Sequence, residues 1–369
     1  MTKIAIVVND SWYAWNMRAR LARFFRKNGY EVVFICPYDK YSEKIKKEFI
    51  YIDIKLNTKS VNPLEDIKLI YKYYKIYKEL KPDIILHYTI KPNIYGTIAA
   101  SFLNIPTINN IAGLGTLFIK QNIVTKIAKF LYKFSQKRAT KVFFQNRDDF
   151  DMFTSEKLVE KGKSDILPGS GVDIDKFMPV EKEEDGIFRF LIVSRMLWAK
   201  GIAEYVEAAK IIKKKYKNVE FQLLGHLDVK SPTAIPKEQM DIWVNDKLVR
   251  YLGTSDNVLD EISKVDCIVL PSYYREGTPR TLLESASMGK PIITTDNVGC
   301  RDVVDDGANG YLCKIKNVEN LASKMEMMIN LSEEERLTMG KAGREKMLKE
   351  FDEKIVINKY LDSIKDILK

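Results

Sequence analysis

Metal-binding and disulfide-forming residues are scarce in this chain of 369 residues. There are two histidines, His87 and His226, so a histidine-based metal site is not expected. The four cysteines are widely separated and lack the spacing of metal ligands: Cys36, Cys267, Cys300 and Cys313. Because their neighbours have the composition of strands, we expect reduced thiols in the core of a cytoplasmic protein.

Long hydrophobic runs are also missing. No apolar stretch approaches the roughly 18 residues that a membrane-spanning helix needs. The first residues, MTKIAIVV, enter a predicted strand at once, which leaves no room for a signal peptide. No Gly-x-Gly-x-x-Gly follows that strand, so we expect no dinucleotide site there. The length and the hydrophobic content of 46% fit a globular protein of about two domains.

Acidic residues are absent from one long segment. Residues 84–147 contain nine Lys or Arg and no Asp or Glu. Residues 1–180 carry 30 basic and 18 acidic side chains, a net charge of +12, whereas residues 181–369 carry 30 and 32, a net charge of −2. The first half is therefore expected to meet an anionic partner. Nucleic acid, a membrane surface and a phosphorylated acceptor are the alternatives.

Predicted strands and helices alternate along the chain, which indicates an α/β protein with parallel sheets and sites at the carboxyl ends of the strands. The first strand is followed by a polar and aromatic loop at residues 9–16 and then a basic helix. The charged segment 181–186 is predicted to link two Rossmann-like domains, residues 1–180 and 187–350. A last helix within residues 351–369 is predicted to cross back and pack on the first domain.

One helix in the acid-free segment is predicted to be amphipathic. It carries apolar residues on one face: Ile123, Ile127, Phe130 and Phe134. Lysines follow another face and are the predicted contacts with an anionic membrane surface: Lys126, Lys129, Lys133 and Lys137. The alternative, an ordinary domain helix with a solvated lysine face, fits the pattern equally well.

The most informative stretch is residues 271–313. A loop with Glu276 leads to a predicted helix that starts near Thr278 and Pro279 and carries Glu284. A glycine is expected to end this helix before a short buried strand. The start of a helix is a seat for phosphate. Two carboxylates around such a seat can bind the hydroxyl groups of a nucleotide sugar at both ends of its diphosphate.

Arg195 and Lys200 follow a predicted strand and flank the start of another helix. Two cations there can hold a diphosphate and neutralise a leaving group without a metal ion. Taken alone, the two residues also fit an ordinary surface pair. Asp173 and Asp175 have the spacing of the Asp-x-Asp motif of metal-dependent transferases, but they precede the linker, and the cation pair makes a metal unnecessary. We therefore predict neither a metal site nor a cofactor.

The second half resembles the nucleotide-sugar domain of the family 4 retaining glycosyltransferases, which have the GT-B fold. The matching pieces stand in the family's order: Ser194-Arg195 with Lys200-Gly201, Gly225, Tyr251-Leu252-Gly253, and Pro271-Ser272 through Pro291. In the first half, FFQNRDDF and GSGVDIDKF resemble the family's interdomain signatures. IKPNIYGTIAA with IAGLG is similar to a subgroup that includes bacterial undecaprenyl-diphosphate-linked glycan N-acetylgalactosaminyltransferases. The resemblance implies two Rossmann-like domains facing a cleft.

This resemblance also implies a donor site for a UDP-sugar in the second half. Arg195 and Lys200 would bind the diphosphate, and Glu284 would accept hydrogen bonds from the ribose hydroxyls. Glu276 would contact the donor sugar, which makes it a catalytic candidate together with Arg195 and Lys200. The remaining nucleotide-sugar candidates are Thr254, Gly277, Thr278, Pro279 and Leu283.

The first half would hold the acceptor, again by resemblance. The acceptor-side candidates follow the carboxyl ends of predicted strands: Asn9, Asn16, Arg18, His87, Thr89, Lys91, Gly113 and Gly115. Many relatives carry a histidine where this chain has Ala112. His87 either replaces that histidine or is a strand-end histidine satisfied by the backbone, and the sequence leaves both readings open.

The resulting hypothesis is a retaining, metal-independent glycosyltransferase. It would move a sugar, with an N-acetylhexosamine as first choice, from a UDP-sugar to a polyprenyl-diphosphate-linked sugar in bacterial glycan assembly. We expect a cytoplasmic protein that is peripheral on the inner face of the plasma membrane, with an anionic membrane surface as partner and no nucleic acid. The alternatives are a transferase for another lipopolysaccharide or capsule acceptor, a UDP-sugar epimerase and a nucleic-acid-binding protein.

Overall fold

The chain divides into two compact units in a computed structural model that describes residues 1–57, 62–114, 123–227, 229, 231 and 233–369. Unit 1 comprises Met1–Ser170 and Lys354–Lys369, and unit 2 comprises Gly171–Glu353. Each unit is built on a parallel sheet with alternating helices, so the predicted pair of Rossmann-like α/β domains is confirmed.

Unit 1 has a sheet of seven parallel strands in the described part of the chain. The strands are β1 (Lys3–Val7), β2 (Glu31–Cys36), β3 (Ile50–Asp53), β4 (Ile84–Tyr88), β5 (Thr107–Ile111), β6 (Lys141–Phe144) and β7 (Ser164–Ile166). Their order in the sheet is β3-β2-β1-β4-β5-β6-β7. The central strands are nearly continuous apolar runs because hydrophobic side chains pack on both faces of the sheet. The order reverses between β1 and β4, where α/β proteins bind ligands at the carboxyl ends of the strands.

The helices of unit 1 alternate with its strands. They are α1 (Ser11–Tyr13), α2 (Ala19–Lys27), α3 (Ser42–Lys46), α4 (Pro63–Leu80), α5 (Thr97–Ser101), α6 (Ile123–Gln136) and α7 (Arg147–Ser155). Turns of π-helix precede α2 and α5, at Ala14–Arg18 and Pro92–Gly96. Across the described residues of both units, every helix is too short or too polar to cross a bilayer.

The segment after β1 becomes helical earlier than the sequence predicts. The prediction of a loop at residues 9–16 is wrong for most of that range, because α1 begins at Ser11. Asp10 caps this helix, since its Oδ1 accepts a hydrogen bond from the Tyr13 amide at 2.6 Å. The π-helical turn and α2 follow without a break, so the aromatic side chains of the expected loop project from helical turns.

Unit 2 has a sheet of six parallel strands within the described ranges, in the order β10-β9-β8-β11-β12-β13. The strands are β8 (Phe188–Val193), β9 (Val219–Leu224), β10 (Arg250–Tyr251), β11 (Cys267–Leu270), β12 (Ile292–Thr295) and β13 (Gly310–Cys313). The helices are α8 (Ile202–Lys215), α9 (Lys237–Asn245), α10 (Val258–Ser263), α11 (Arg280–Ser287), α12 (Val318–Asn330) and α13 (Glu333–Lys346). Because β8 and β11 are neighbours, the loops that follow them start side by side.

The division between the units falls after Ser170, well before the segment 181–186 that the sequence predicts as the linker. Val172 and Phe177 pack in a hydrophobic cluster of unit 2, which draws the preceding segment into that unit. Gly171 has a φ of +70°, and a Cβ at this position would lie 2.4 Å from the Cα of Glu353, so the close approach requires glycine. These contacts are long-range, and the local charge pattern does not reveal them.

The last helix, α14 (Glu353–Ile367), packs in unit 1, as the sequence predicts. Its buried side chains join the hydrophobic cluster on one face of the unit 1 sheet: Val356, Ile357, Tyr360, Leu361 and Ile364. The Nδ2 of Asn110, in β5, donates a hydrogen bond to the Tyr360 hydroxyl at 2.8 Å. This bond ties α14 to a strand near the middle of the sheet.

Candidate functional site

The loop that joins β11 to α11 in unit 2 is fixed from two sides. The amides of Tyr273 and Tyr274 both donate to the carbonyl oxygen of Ala199, at 3.0 and 3.1 Å. On the other side, Nδ2 of Asn297 donates to the Tyr274 carbonyl at 2.9 Å. The loop therefore keeps one shape between the segments that follow β8 and β12.

Two glycines allow the backbones of these segments to approach. Gly201 has a φ of +77°, and a Cβ there would lie 2.1 Å from the carbonyl oxygen of Pro271. Gly299 has a φ of +76°, and a Cβ there would lie 1.7 Å from the carbonyl oxygen of Gly277. No side chain fits at either distance. The predicted pieces Lys200-Gly201 and Pro271-Ser272 are thereby brought into direct contact.

Lys200 and Glu276 form an ion pair within this arrangement. Lys200 Nζ lies 2.5 Å from Glu276 Oε1, and the two side chains are 12% and 10% exposed. Ser272 Oγ bonds to the same carboxylate oxygen at 2.9 Å. The neighbouring positions of β8 and β11 bring the pair together across 76 residues of sequence. The sequence predicts both residues at the site but not their pairing.

A second ion pair lies on α11. Arg280 is the first residue of the helix, and its Nε lies 2.7 Å from Oε1 of Glu284. Burial raises the pKa of the Glu284 carboxyl above its ordinary value, while the charge and hydrogen bond of Arg280 partly offset this rise. Sequence reasoning missed Arg280. The signal that could have found it is its spacing of one helical turn from Glu284.

The other predicted donor residues lie around these pairs or at the surface. Arg195 is exposed directly after β8, and Thr254 is exposed after β10. The remaining four are buried in the loop and the first turns of α11: Gly277, Thr278, Pro279 and Leu283. The helix begins at Arg280, so Pro279 occupies the capping position before it. Gly289 follows the helix with a φ of +70°, as expected for a terminating glycine.

The arrangement at the ends of β8 and β11 suits a ligand that is both anionic and rich in hydroxyl groups. Lys200 and the exposed Arg195 supply positive charge, and the start of α11 adds the positive end of the helix dipole. Carboxylates such as Glu276 and Glu284 accept hydrogen bonds from hydroxyl groups.

Among the described residues, no three His, Cys, Asp or Glu side chains are grouped in a way that could hold a metal ion. Asp173, which the sequence places in an Asp-x-Asp pattern, instead serves the backbone: its Oδ1 accepts a hydrogen bond from the Lys176 amide at 3.0 Å.

In unit 1, the predicted acceptor residue Arg18 is 2% exposed. The carbon at the centre of its guanidinium lies 4.1 Å from the centre of the Tyr88 ring, and it also lies over the ring of Tyr13. One of its terminal nitrogens donates to the Tyr13 hydroxyl at 2.7 Å. The Nε of Arg18 and the Oδ1 of Asn9, just after β1, are buried without a hydrogen-bond partner among the described residues. Asn16 is exposed.

His87 lies in the interior of unit 1 with both ring nitrogens bonded. Its Nε2 lies 3.0 Å from the Tyr77 hydroxyl, and its Nδ1 lies 3.0 Å from Oδ1 of Asn109. Burial lowers the pKa of the imidazole to about 3, so it is neutral near pH 7. A Cβ on Gly96 would lie 2.5 Å from Nε2, so glycine is required beside the ring. The histidine is satisfied within the fold, but the prediction that the backbone satisfies it is wrong, because the partners are side chains.

The remaining acceptor candidates sit after β4 and β5. Thr89 has a φ of +69°, a conformation that non-glycine residues rarely adopt, and its hydroxyl donates to the Tyr88 carbonyl. Lys91 pairs with Asp66 at 2.7 Å. Gly113 has a φ of +84°, as expected for a tight turn, and Gly115 lies outside the described residues.

Helix α6 buries a small and polar face. The side chains on this face are Thr125, Ala128, Tyr132, Ser135 and Gln136. Hydrogen bonds to other elements hold Gln136: its Oε1 accepts from Asn109 Nδ2 at 2.7 Å, and its Nε2 donates to the carbonyl of Asn93 at 3.1 Å. These bonds fix which side of the helix turns inward.

The outer face of α6 is apolar as well as basic. The exposed apolar side chains are Ile123, Val124, Ile127, Phe130 and Phe134, with 67% of Phe130 accessible. Three of the four predicted lysines are exposed, namely Lys126, Lys133 and Lys137. The fourth, Lys129, pairs with Glu156 at 2.7 Å. An ordinary domain helix would bury the apolar face, which this helix does not.

Known proteins match both units. The sequence profile described as "Glycosyl transferases group 1" matches residues 173–346, and the one described as "Glycosyl transferase 4-like" matches residues 3–146. A curated relative from Campylobacter jejuni, N,N'-diacetylbacillosaminyl-diphospho-undecaprenol alpha-1,3-N-acetylgalactosaminyltransferase, is 28% identical over 376 aligned residues that cover 96% of each chain.

Solved structures share the fold over the whole chain. A glycosyltransferase from Rickettsia africae superimposes with a TM-score of 0.82 and 20% identity, covering 100% of this chain and 99% of that one. Anabaena Alr3699/HepE in complex with UDP gives a TM-score of 0.79 and 15% identity, covering 99% and 100%. With profiles matched in both units and the two ion pairs inside the matched part of unit 2, this chain belongs to the group 1 and 4-like glycosyltransferases of the GT-B fold.

Proposed function

We propose that this enzyme transfers an N-acetylhexosamine from a UDP-sugar to a polyprenyl-diphosphate-linked sugar, with retention of the anomeric configuration. The observation that carries the proposal is the full-length similarity to the Campylobacter jejuni relative, whose name states an undecaprenol-linked acceptor and an N-acetylgalactosaminyl donor group. The Anabaena structure with UDP bound supports a uridine diphosphate donor.

Unit 2 would hold the donor. Lys200 and Arg195 would neutralise the diphosphate, and the start of α11 would add its positive potential to that of the two cations. Glu284 would accept hydrogen bonds from the ribose, and Glu276 from the donor sugar. Because Lys200 is paired with Glu276 in the free protein, diphosphate binding would divide the Lys200 charge between the carboxylate and the phosphate.

In the reaction, the bond between the anomeric carbon and the β-phosphate oxygen breaks, and the acceptor hydroxyl forms its bond on the same face. The acceptor proton passes to the departing phosphate oxygen, so UDP leaves with the electron pair of the broken bond. The cations stabilise the charge that develops on that oxygen, which is the step that would otherwise call for a metal ion. We assign no side chain as general base.

Unit 1 would meet the membrane that carries the acceptor. Its acid-free segment and the exposed lysines of α6 are attracted to anionic headgroups, while the exposed apolar side chains of α6 can enter the boundary of the acyl chains. The apolar outer face supports this proposal more strongly than the lysines alone, since solvated lysines are common on soluble proteins.

A donor and acceptor screen tests the transfer. Purified enzyme is incubated with UDP-N-acetylgalactosamine, UDP-N-acetylglucosamine, UDP-galactose and UDP-glucose, each with a short-chain polyprenyl-diphosphate N-acetylhexosamine, and products are identified by mass spectrometry. We expect a product one N-acetylhexosamine larger, with the same anomeric configuration as the donor by NMR. GDP-sugars serve as the control. Conversion of a UDP-sugar without acceptor would favour an epimerase, and a product with inverted configuration would contradict the proposed reaction.

Vesicle pelleting tests the membrane contact. The double substitution Ile127→Ser with Phe130→Ser should lower partitioning into phosphatidylglycerol-containing vesicles by about 100-fold, because each apolar side chain contributes roughly 1.5 kcal/mol when it leaves water. Substituting Lys126, Lys133 and Lys137 by Glu should weaken binding mainly at low salt. Ile242→Ser, a matched change at an exposed apolar residue of unit 2, should have no effect. Unchanged pelleting of the α6 variants would remove this helix from the membrane contact.

A further inference from the structure

The stability of α11 does not explain why an arginine stands at position 280. A cation at the first residue of a helix faces the positive end of the helix dipole, which is unfavourable. The order of arginine before glutamate along one turn is also the less favourable of the two orders for a helical ion pair. The guanidinium is nevertheless directed along the helix to Glu284, with Nε 2.7 Å from Oε1.

The contact is sheltered from solvent, unlike most ion pairs within one helix. The side chains of Arg280 and Glu284 are 29% and 12% exposed. Arg280 and, through its charge alone, Lys176 both favour the ionised form of the Glu284 carboxyl against the effect of burial. Arg280 thus keeps in place a carboxylate that burial disfavours.

The geometry also leaves the carboxylate able to bind a ligand. The Nε of Arg280 donates to one oxygen, Oε1, and so restricts the orientations that the group can adopt. A carboxylate has about four lone-pair sites, so Glu284 can accept hydrogen bonds from two adjacent hydroxyl groups while Arg280 holds it. The 2′- and 3′-hydroxyls of a ribose are such a pair.

We propose that Arg280 is a positioning residue that orients Glu284 toward the ribose of the donor nucleotide and thereby makes the site select a ribonucleotide over a 2′-deoxyribonucleotide. This inference rests on the proposed function, because it takes Glu284 as the ribose-binding residue of a UDP-sugar site.

Calorimetric titration of the whole chain with UDP and with 2′-deoxy-UDP tests it. The parent should bind UDP about 10- to 100-fold more tightly than 2′-deoxy-UDP, as expected for one hydrogen bond to a charged group. Arg280→Met should weaken UDP binding by nearly the same factor and leave 2′-deoxy-UDP binding within about twofold, so that the preference nearly disappears. Arg280→Lys keeps the charge without the planar guanidinium and should fall between the two.

Two further variants test whether the effect of Arg280 depends on Glu284 and whether it is specific to this ion pair. In a Glu284→Gln background, Arg280→Met should add no further loss of UDP affinity, because the proposed role of Arg280 in ribose binding is exerted through the Glu284 carboxylate. Arg147→Met is a matched control: Arg147 also opens a helix and pairs through Nε with the residue one turn on, Asp151, at 2.8 Å, but it is exposed and lies in unit 1. This control should leave both affinities unchanged.

Different results would contradict the positioning role of Arg280 and the proposed function. Equal weakening of UDP and 2′-deoxy-UDP by Arg280→Met, or an additive loss in the Glu284→Gln background, would overturn the positioning role. A variant that keeps the preference of the parent would overturn it as well. A parent that binds neither nucleotide would instead refute the proposed function. The thermal midpoint of each variant shows whether it is folded, and Arg280→Lys serves if Arg280→Met is not.

Discussion

Acidification should destabilise unit 1 through a single buried side chain, His87. Burial lowers the pKa of this imidazole to about 3 in the folded protein, whereas a histidine in the unfolded chain has a pKa of about 6.5. Between these values the unfolded chain binds a proton that the folded protein does not. The contribution of His87 to stability is therefore fully present above about pH 6.5 and is lost progressively as the pH falls toward 3.

The size of the effect follows from the two pKa values. At about pH 5 the unfolded histidine is protonated roughly 30 times more often than not, while the folded one stays neutral, so the free energy of unfolding is about 2 kcal/mol lower than at about pH 8. For a unit of this size each kcal/mol shifts the thermal midpoint by about 2–4 °C, which gives a decrease of about 4–8 °C.

A variant at this position separates the contribution of His87 to stability from that of the carboxylates that titrate in the same pH range. His87→Gln should be less stable than the parent at pH 8, because glutamine cannot reproduce both bonds, to Tyr77 and to Asn109. At pH 5 the difference between parent and variant should shrink by about 2 kcal/mol, because the variant has no imidazole to protonate. Urea unfolding of both proteins at the two pH values measures the difference.

His226→Gln is the control, since His226 is exposed after β9 and its replacement should change the stability little at either pH. A difference between parent and His87→Gln that does not vary with pH would refute the reasoning. Turnover of the folded variant answers a separate question: a rate near that of the parent would exclude a contact between His87 and the donor sugar.

Three further predictions concern unit 2. Lys200→Met should lower turnover by about 10²–10³-fold while the protein stays folded, because one electrostatic stabiliser of the leaving diphosphate is lost. A rate within tenfold of the parent would show that Lys200 takes no part in the reaction. Gly299→Ala should lower the thermal midpoint of unit 2 and abolish UDP binding, because its Cβ would lie 1.7 Å from a carbonyl oxygen of the loop; a stable, UDP-binding variant would contradict the packing described. Burial raises the pKa of the Cys300 thiol to about 12, so it should resist alkylation by iodoacetamide in the native protein and react only in urea, as mass spectrometry would show.

The framework of unit 2 could be predicted from the sequence because its signals are local. Short apolar runs mark β11 and β12, and the glycine after α11 marks its end. In a parallel sheet the carboxyl ends of adjacent strands meet at one edge, so loops with Lys200 and Glu276 are expected at the same edge. In the structure these loops meet, and Lys200 contacts Glu276.

The details of the same site depend on contacts that no local pattern contains. Lys200 and Glu276 pair because Gly201 lets the backbone approach Pro271, a contact between segments far apart in sequence. The boundary between the units follows the packing of Val172 in unit 2 rather than the charged segment 181–186. Charge and composition indicate where a chain is polar, but not which distant side chain a residue will contact.

The orientation of helix α6 could not be predicted from its sequence either. Periodicity tells us that Ile127 and Phe130 share a side of the helix, but it does not tell us whether that side faces the protein or its surroundings. The hydrogen bonds of Gln136 decide the question, because a buried amide must find partners: its Oε1 accepts from Asn109, and its Nε2 donates to the carbonyl of Asn93. The apolar side chains then remain outside, and exposing them to water carries a cost that contact with an apolar phase would remove. The polar interior of α6 is therefore what makes its outer face suited to a membrane.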